Sequence, residues 1–142
     1  MTDTVKIISP IDGSLYAERP LASRAEIDAA VIRAQLARDA WAETTLAERQ
    51  KIVTHMVDAL LLMNDEIVPE LAWQMGRPTR FGGEKRGVEE RARYMIELAS
   101  SALAPVTLPA KEGFTRYITR EALGIVLVVA PWNYPFLTAV NS

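Results

Sequence analysis

The sequence predicts an α/β fold: an opening β-hairpin, about four helices, a strand at an exposed or interface position, and a last strand buried on both faces. Three observations carry this. Ile125–Ala130 is an unbroken, β-branched-rich apolar run opened by Gly124 and closed by Pro131, the pattern of a strand covered on both sides as in a parallel sheet. Such a strand implies helices around it. Upstream, apolar residues recur at helical spacing behind two capping boxes, and residues 5–21 flank an Asp-Gly turn.

In chain order, Val5-Lys6-Ile7-Ile8 and Leu15–Arg19 form the hairpin around Pro10-Ile11-Asp12-Gly13, where the Asp-Gly pair supplies the positive φ. An isolated hairpin is marginal in water, so it must dock on something. Ser23-x-x-Glu26 caps a first helix whose Ile27, Ala30, Val31, Ala34 and Trp41 make one apolar stripe, with enough alanine for close packing. Thr45-x-x-Glu48 caps a second, whose Ile52, Val53, Met56, Val57, Leu60 and Leu61 form a core face.

A third helix runs from about Asp65 to Met75, with Asn64 as candidate N-cap, Gly76 and Pro78 as the stop, and Pro69 disturbing the first turn. After Gly82-Gly83, the residues Val88, Ala92, Met95, Ala99 and Leu103 mark a fourth helix, ended by Pro105. Leu103–Gly113 reads as the loosest join. Phe114–Glu121, polar, charged and aromatic, is a strand half exposed or at an interface.

Composition narrows the function classes. With 49% hydrophobic and 24% charged residues, the 142-residue chain is ordinary for a globular protein and long enough to bury a core. A formal charge of −2 gives no general attraction to nucleic acid, and the absence of cysteine excludes disulfides, thiolate metal sites and a cysteine nucleophile within these residues. The start lacks a basic and then apolar leader pattern, and no apolar run approaches the roughly 18 residues of a membrane span. A cytoplasmic location is the default expectation.

Chemistry is expected where the buried strand gives way to Pro131-Trp132-Asn133-Tyr134-Pro135. Two prolines fix φ and push Ala130 and Tyr134 toward extended backbone, which holds Trp132–Tyr134 stiffly past the strand's carboxyl end, the end where open α/β sheets bind ligands. Asn133 can donate two hydrogen bonds where Trp132 and Tyr134 exclude water, as an oxyanion donor must. The residues alone leave a second reading open, and it is the commoner one: an Asx-type turn with packing aromatics.

Other signals are weaker. Gly82 and Gly87 have P-loop glycine spacing, but Val88-Glu89 replaces the required Lys-Ser/Thr and a helix precedes the segment. His55, the only histidine, has no second His or Cys to share a metal and reads as a rim or core residue. Arg77, Arg80, Lys85, Arg86, Arg91 and Arg93 cluster, but Glu84, Glu89 and Glu90 interleave, so a solvated face is expected rather than an anion site.

The segment Gly124–Pro135 resembles the Pro-Trp-Asn-(Tyr/Phe)-Pro signature of the NAD(P)-dependent aldehyde dehydrogenase superfamily, with the Arg120-Glu121-Ala122-Leu123-Gly124 lead-in that precedes it there. Ser9-Pro10-Ile11-Asp12-Gly13 is similar to the family's N-terminal hairpin, and Met75-Gly76-Arg77-Pro78 to its Thr-Gly-Lys-Pro. The resemblance covers nearly all of this chain but only the amino-terminal part of a family member. It implies that Asn133 is the oxyanion-hole amide and that the Val129-Ala130-Pro131-Trp132 backbone lines NAD or NADP. The implied reaction oxidises an aldehyde to a carboxylic acid through a cysteine thiohemiacetal and thioester.

By the same resemblance, residues 1–113 give the hairpin and helices of the cofactor-binding domain. Residues 114–123 give a strand of the oligomerisation sheet, and residues 124–142 the first buried strand and its turn. A homo-oligomer, dimer or tetramer, acting on a small aldehyde is then expected, with no nucleic-acid or membrane partner. The family's Cys, Glu general base and ribose-binding Lys have no match here, so these residues alone are expected to be inactive and, with a bare sheet edge, prone to associate. The alternative is a non-catalytic interaction or scaffolding module that keeps the fold segment.

Overall fold

A computed structural model describes residues 3–142; Met1 and Thr2 lie outside the described residues. Strands β1 (Thr4–Ile8) and β2 (Leu15–Pro20) form an antiparallel hairpin, followed by helices α1 (Arg24–Ala42), α2 (Leu46–Leu62) and α3 (Asn64–Met75). A 3-10 turn at Thr79–Phe81 leads to α4 (Lys85–Ala102), a short antiparallel pair β3 (Val106–Thr107) and β4 (Tyr117–Ile118), and α5 (Pro135–Val140). The architecture is mixed helix and strand with two separate small sheets. Among the described residues no helix is long and apolar enough to cross a membrane.

The hairpin forms as its turn residues dictate. Gly13 takes φ +76°, and the Ser14 amide donates to the Asp12 carboxylate at 3.0 Å. It docks on α3, as an isolated hairpin requires. The Tyr16 hydroxyl donates to Glu70 Oε1 at 2.7 Å and its ring stacks on Trp73 with centroids 6.1 Å apart. That hydrogen bond holds the Glu70 carboxyl below its ordinary range and raises the Tyr16 phenol. Pro10 seals the junction: a Cβ on Gly76 would lie 3.2 Å from Pro10 Cγ, and Gly76 already needs φ +77° to end α3.

Both capping boxes are present. Ser23 and Thr45 accept from the Glu26 and Glu48 amides, and the two glutamates accept in return from the cap amides, which lowers both carboxyls. The core sits between α2 and α4. Val57, fully buried, joins Leu61, Val88 and Ala92, and Phe136, Leu137 and Val140 of α5 close over them. The core thus ties α5, the element that follows the Pro131–Pro135 turn, to the helical body.

Several expectations are corrected. Asn64 is the first residue of α3, not its cap: Met63 ends α2 and starts α3 with no side-chain cap. The helix continues through Pro69, whose missing N–H falls opposite the exposed first turn. The α1 stripe is not buried, because no described element covers it, and Ile52 and Met56 of the expected α2 core face are also exposed. The strand at Phe114–Glu121 contracts to Tyr117–Ile118, paired with Val106–Thr107; the Leu103–Gly113 segment is therefore half of a hairpin rather than a loose join.

The largest difference concerns Ile125–Ala130. The segment belongs to no sheet among the described residues, and it is open to solvent, with Leu127 87% and Val129 82% exposed. Sequence pattern encodes a strand's two-sided burial, but a strand exists only through hydrogen bonds to neighbours, and no described segment supplies them.

Candidate functional site

The turn that links Ile125–Ala130 to α5 is fixed from outside by two residues of the segment that joins α3 to α4. The Arg77 guanidinium donates through Nη2 to the Asn133 carbonyl at 2.6 Å and lies 4.7 Å over the Tyr134 ring. Its Nη1 faces Glu84 Oε1 at 3.5 Å. The other Glu84 oxygen accepts from the Leu137 amide at 2.6 Å, on the first turn of α5, where Tyr134 provides no side-chain cap. Pro135 starts α5, the position where its missing N–H costs nothing.

Arg77 and Glu84 are both withdrawn from water, with side chains 11% and 2% exposed. The expected solvated basic face therefore fails at its first member. Arg77 leaves that face because the left-handed Gly76 and then Pro78 turn the chain toward Tyr134. Arg77 lies in the Met75-Gly76-Arg77-Pro78 segment singled out above, but nothing in that segment announces its pairing with Glu84, seven positions on past two glycines and a short turn.

On this frame the Asn133 side chain is exposed, and its amide makes no hydrogen bond among the described residues. The Asx-type bond of the commoner reading is absent, and both amide N–H groups are without a partner among the described residues. The expected dry surroundings are not found either: Trp132 is 73% exposed and Tyr134 is also open, because nothing described covers the turn's outer side. Val129, Ala130, Pro131 and Trp132 lie consecutively before Asn133, with Val129, Pro131 and Trp132 exposed and Ala130 half-buried. Their peptide groups take part in no sheet ladder among the described residues.

His55 is exposed on α2, and the described residues contain no cluster of His, Cys, Asp or Glu that could hold a metal ion. The arrangement can therefore offer two things to a ligand: an unbonded amide donor on a pinned main chain, and an open stretch of backbone without ladder bonds among the described residues, beside an indole.

A model of the aldehyde dehydrogenase family matches residues 1–142. The protein FUS7 of Gibberella fujikuroi is 28% identical over 140 residues, covering 99% of this chain and 30% of FUS7. PnpE, solved in complex with nicotinamide adenine dinucleotide, superposes with a TM-score of 0.81 at 29% identity, covering 97% of this chain and 28% of PnpE. Gamma-glutamyl-gamma-aminobutyraldehyde dehydrogenase of Burkholderia cenocepacia J2315 gives a TM-score of 0.85 at 27% identity, with 96% and 28% covered. An NADP-dependent glyceraldehyde-3-phosphate dehydrogenase of Bacillus halodurans C-125, complexed with NADP, gives 0.84 at 25% identity, with 97% and 30% covered. The chain spans about three tenths of the length of each.

Proposed function

The chain belongs to the aldehyde dehydrogenase family, and on that premise we propose that it is the amino-terminal part of an enzyme oxidising an aldehyde to a carboxylic acid with NAD or NADP. The observation that carries the reading is Asn133: an exposed, unbonded amide on a turn pinned by Arg77 and Glu84. When a thiolate adds to an aldehyde, a C–S bond forms and the carbonyl π pair moves onto oxygen. An amide N–H carried on a held main chain is matched to that developing charge, and such donors are worth about 3–4 kcal/mol in the transition state. The thiolate comes from outside these residues, which contain no cysteine.

The Val129–Trp132 stretch fits a nicotinamide cofactor. Its peptide groups are free of ladder bonds, and the Trp132 ring stands open beside them. PnpE and the Bacillus enzyme were solved with NAD and NADP respectively, which supports either cofactor. When bound, the cofactor supplies the hydride acceptor; the chain's own part is to line it and to hold the amide beside the reacting carbonyl. The exposed β3–β4 hairpin offers unpaired edges on which a second copy of the protein would add, consistent with a homo-oligomer.

Binding can be tested without turnover. Calorimetric titration of the full-length protein that carries this chain is expected to give saturable, 1:1 binding per subunit of NAD⁺, NADP⁺ or both in the absence of aldehyde. Binding of neither by folded protein would contradict the reading.

A further inference from the structure

We infer that Arg77 and Glu84 form a positioning pair for Asn133: by holding the residue's own backbone, they set where its side-chain amide points. The inference rests on the oxyanion role proposed above and adds residues that the motif itself does not contain.

The geometry gives the pair three attachments to the turn and α5 and one contact between its own members, and leaves the Asn133 side chain free. Arg77 takes the Asn133 carbonyl at 2.6 Å and the face of Tyr134 at 4.7 Å, one residue further on. Glu84 takes Arg77 at 3.5 Å and the Leu137 amide at 2.6 Å, four residues beyond Asn133. Asn133 therefore sits at the end of a short charge-assisted chain running from the first turn of α5 through a carboxylate and a guanidinium to its own carbonyl. With the main chain fixed, only two side-chain torsions separate that carbonyl from the amide N–H groups. On the strand side the described residues give the turn no comparable hold, since Ile125–Ala130 joins no described sheet and Ile125–Val129 is exposed.

Guanidinium geometry suits the task. One planar fork reaches a carboxylate with one nitrogen and a carbonyl with another, while its face covers an aromatic ring; an ammonium is a point charge and cannot do all three. Both charges lie out of water, so neutralising one leaves the other buried without its partner. The turn is then expected to shift rather than to relax onto solvent. A displacement of about 1 Å at a catalytic group can cost on the order of 10²-fold in rate, so a modest shift suffices to register in kcat.

The test is a double-mutant cycle in the full-length protein: Arg77→Met, Asn133→Ala and the double variant, each with kcat per folded active site, aldehyde KM and NAD(P)⁺ Kd. Arg77→Met is expected to lower kcat by about tenfold or more in the wild-type background and less than about twofold beside Asn133→Ala, because a misplaced amide matters only while the amide is present. KM and Kd should change by less than about threefold, and Arg77→Lys should restore part of the rate. Equal loss of kcat in both backgrounds would overturn the positioning role while leaving the amide's role intact. If Asn133→Ala by itself leaves kcat unchanged, the oxyanion reading fails, and this inference with it. Should Arg77→Met not fold, Glu84→Gln keeps an acceptor for the Leu137 amide but removes the charge opposite Arg77. It is expected to show the same non-additivity with Asn133→Ala, and additive loss would again overturn the pair.

Discussion

Replacing Asn133 by alanine in the full-length protein is expected to lower kcat by about 10²–10³-fold while leaving the melting temperature nearly unchanged. The rate term follows from differential binding. In the proposed role the amide would meet a neutral carbonyl oxygen in the ground state and an oxyanion in the transition state, so its removal would raise the barrier rather than weaken substrate binding. The stability term follows from the fold. The Asn133 side chain is exposed and makes no hydrogen bond among the described residues, and the turn is held by the Asn133 carbonyl, which alanine retains. Had the amide closed an Asx-type turn, its loss would cost about 1 kcal/mol of stability with turnover of the folded fraction preserved. Measuring kcat per folded site beside the melting temperature separates the two: a lower melting temperature with normal turnover would assign Asn133 to the turn.

The second large effect concerns the 142 residues expressed alone, which are expected to reduce no NAD(P)⁺ with any aldehyde and to sediment as oligomers or aggregates. Without a cysteine there is no thiolate to add to the carbonyl, so the covalent route is closed whatever the state of the amide. Association follows from surface. Leu36, Leu62, Leu123, Leu127, Val129 and Trp132 are exposed, while the buried core is confined to a few residues of α2, α3 and α4. Water contact over that much apolar surface favours self-association, and the unpaired Ile125–Ala130 backbone adds a template for strand pairing. A compact monomer in sedimentation velocity with a cooperative thermal transition would contradict the association. Aldehyde-dependent NAD(P)H formation by the chain alone would contradict the inactivity.

Local signals in this sequence translate directly into structure. The Ser23 and Thr45 boxes start α1 and α2 where the pattern places them, Gly76 ends α3 in the left-handed conformation, and Asp12-Gly13 turns the hairpin. These features depend on residues within a few positions of one another, which is the range over which sequence determines backbone geometry. What depends on distant partners was legible only as intent. The apolar pattern of Ile125–Ala130 and the α1 stripe specify burial, yet both are exposed, because burial requires a neighbour that no described residue provides.

The site divides in the same way. The Pro131–Pro135 turn is readable from its prolines, whereas Asn133 is singled out by the motif around it, its chemistry alone leaving the Asx-type turn as the commoner reading. The hold on that turn is not readable in the sequence, because the Arg77 to Asn133 contact spans 56 positions and the Glu84 to Leu137 contact 53. Charge interleaving pointed the other way: the same glutamates that suggested a solvated helix face include the one buried beneath α5.

The most direct measurement is aldehyde-dependent reduction of NAD⁺ or NADP⁺ by purified full-length protein, followed across short aliphatic, aromatic and carboxylate-bearing aldehydes. Turnover is expected with at least one aldehyde and one cofactor, yielding one carboxylic acid per NAD(P)H formed. Folded protein that binds nucleotide yet forms no NAD(P)H with any of these aldehydes would contradict the proposed oxidation.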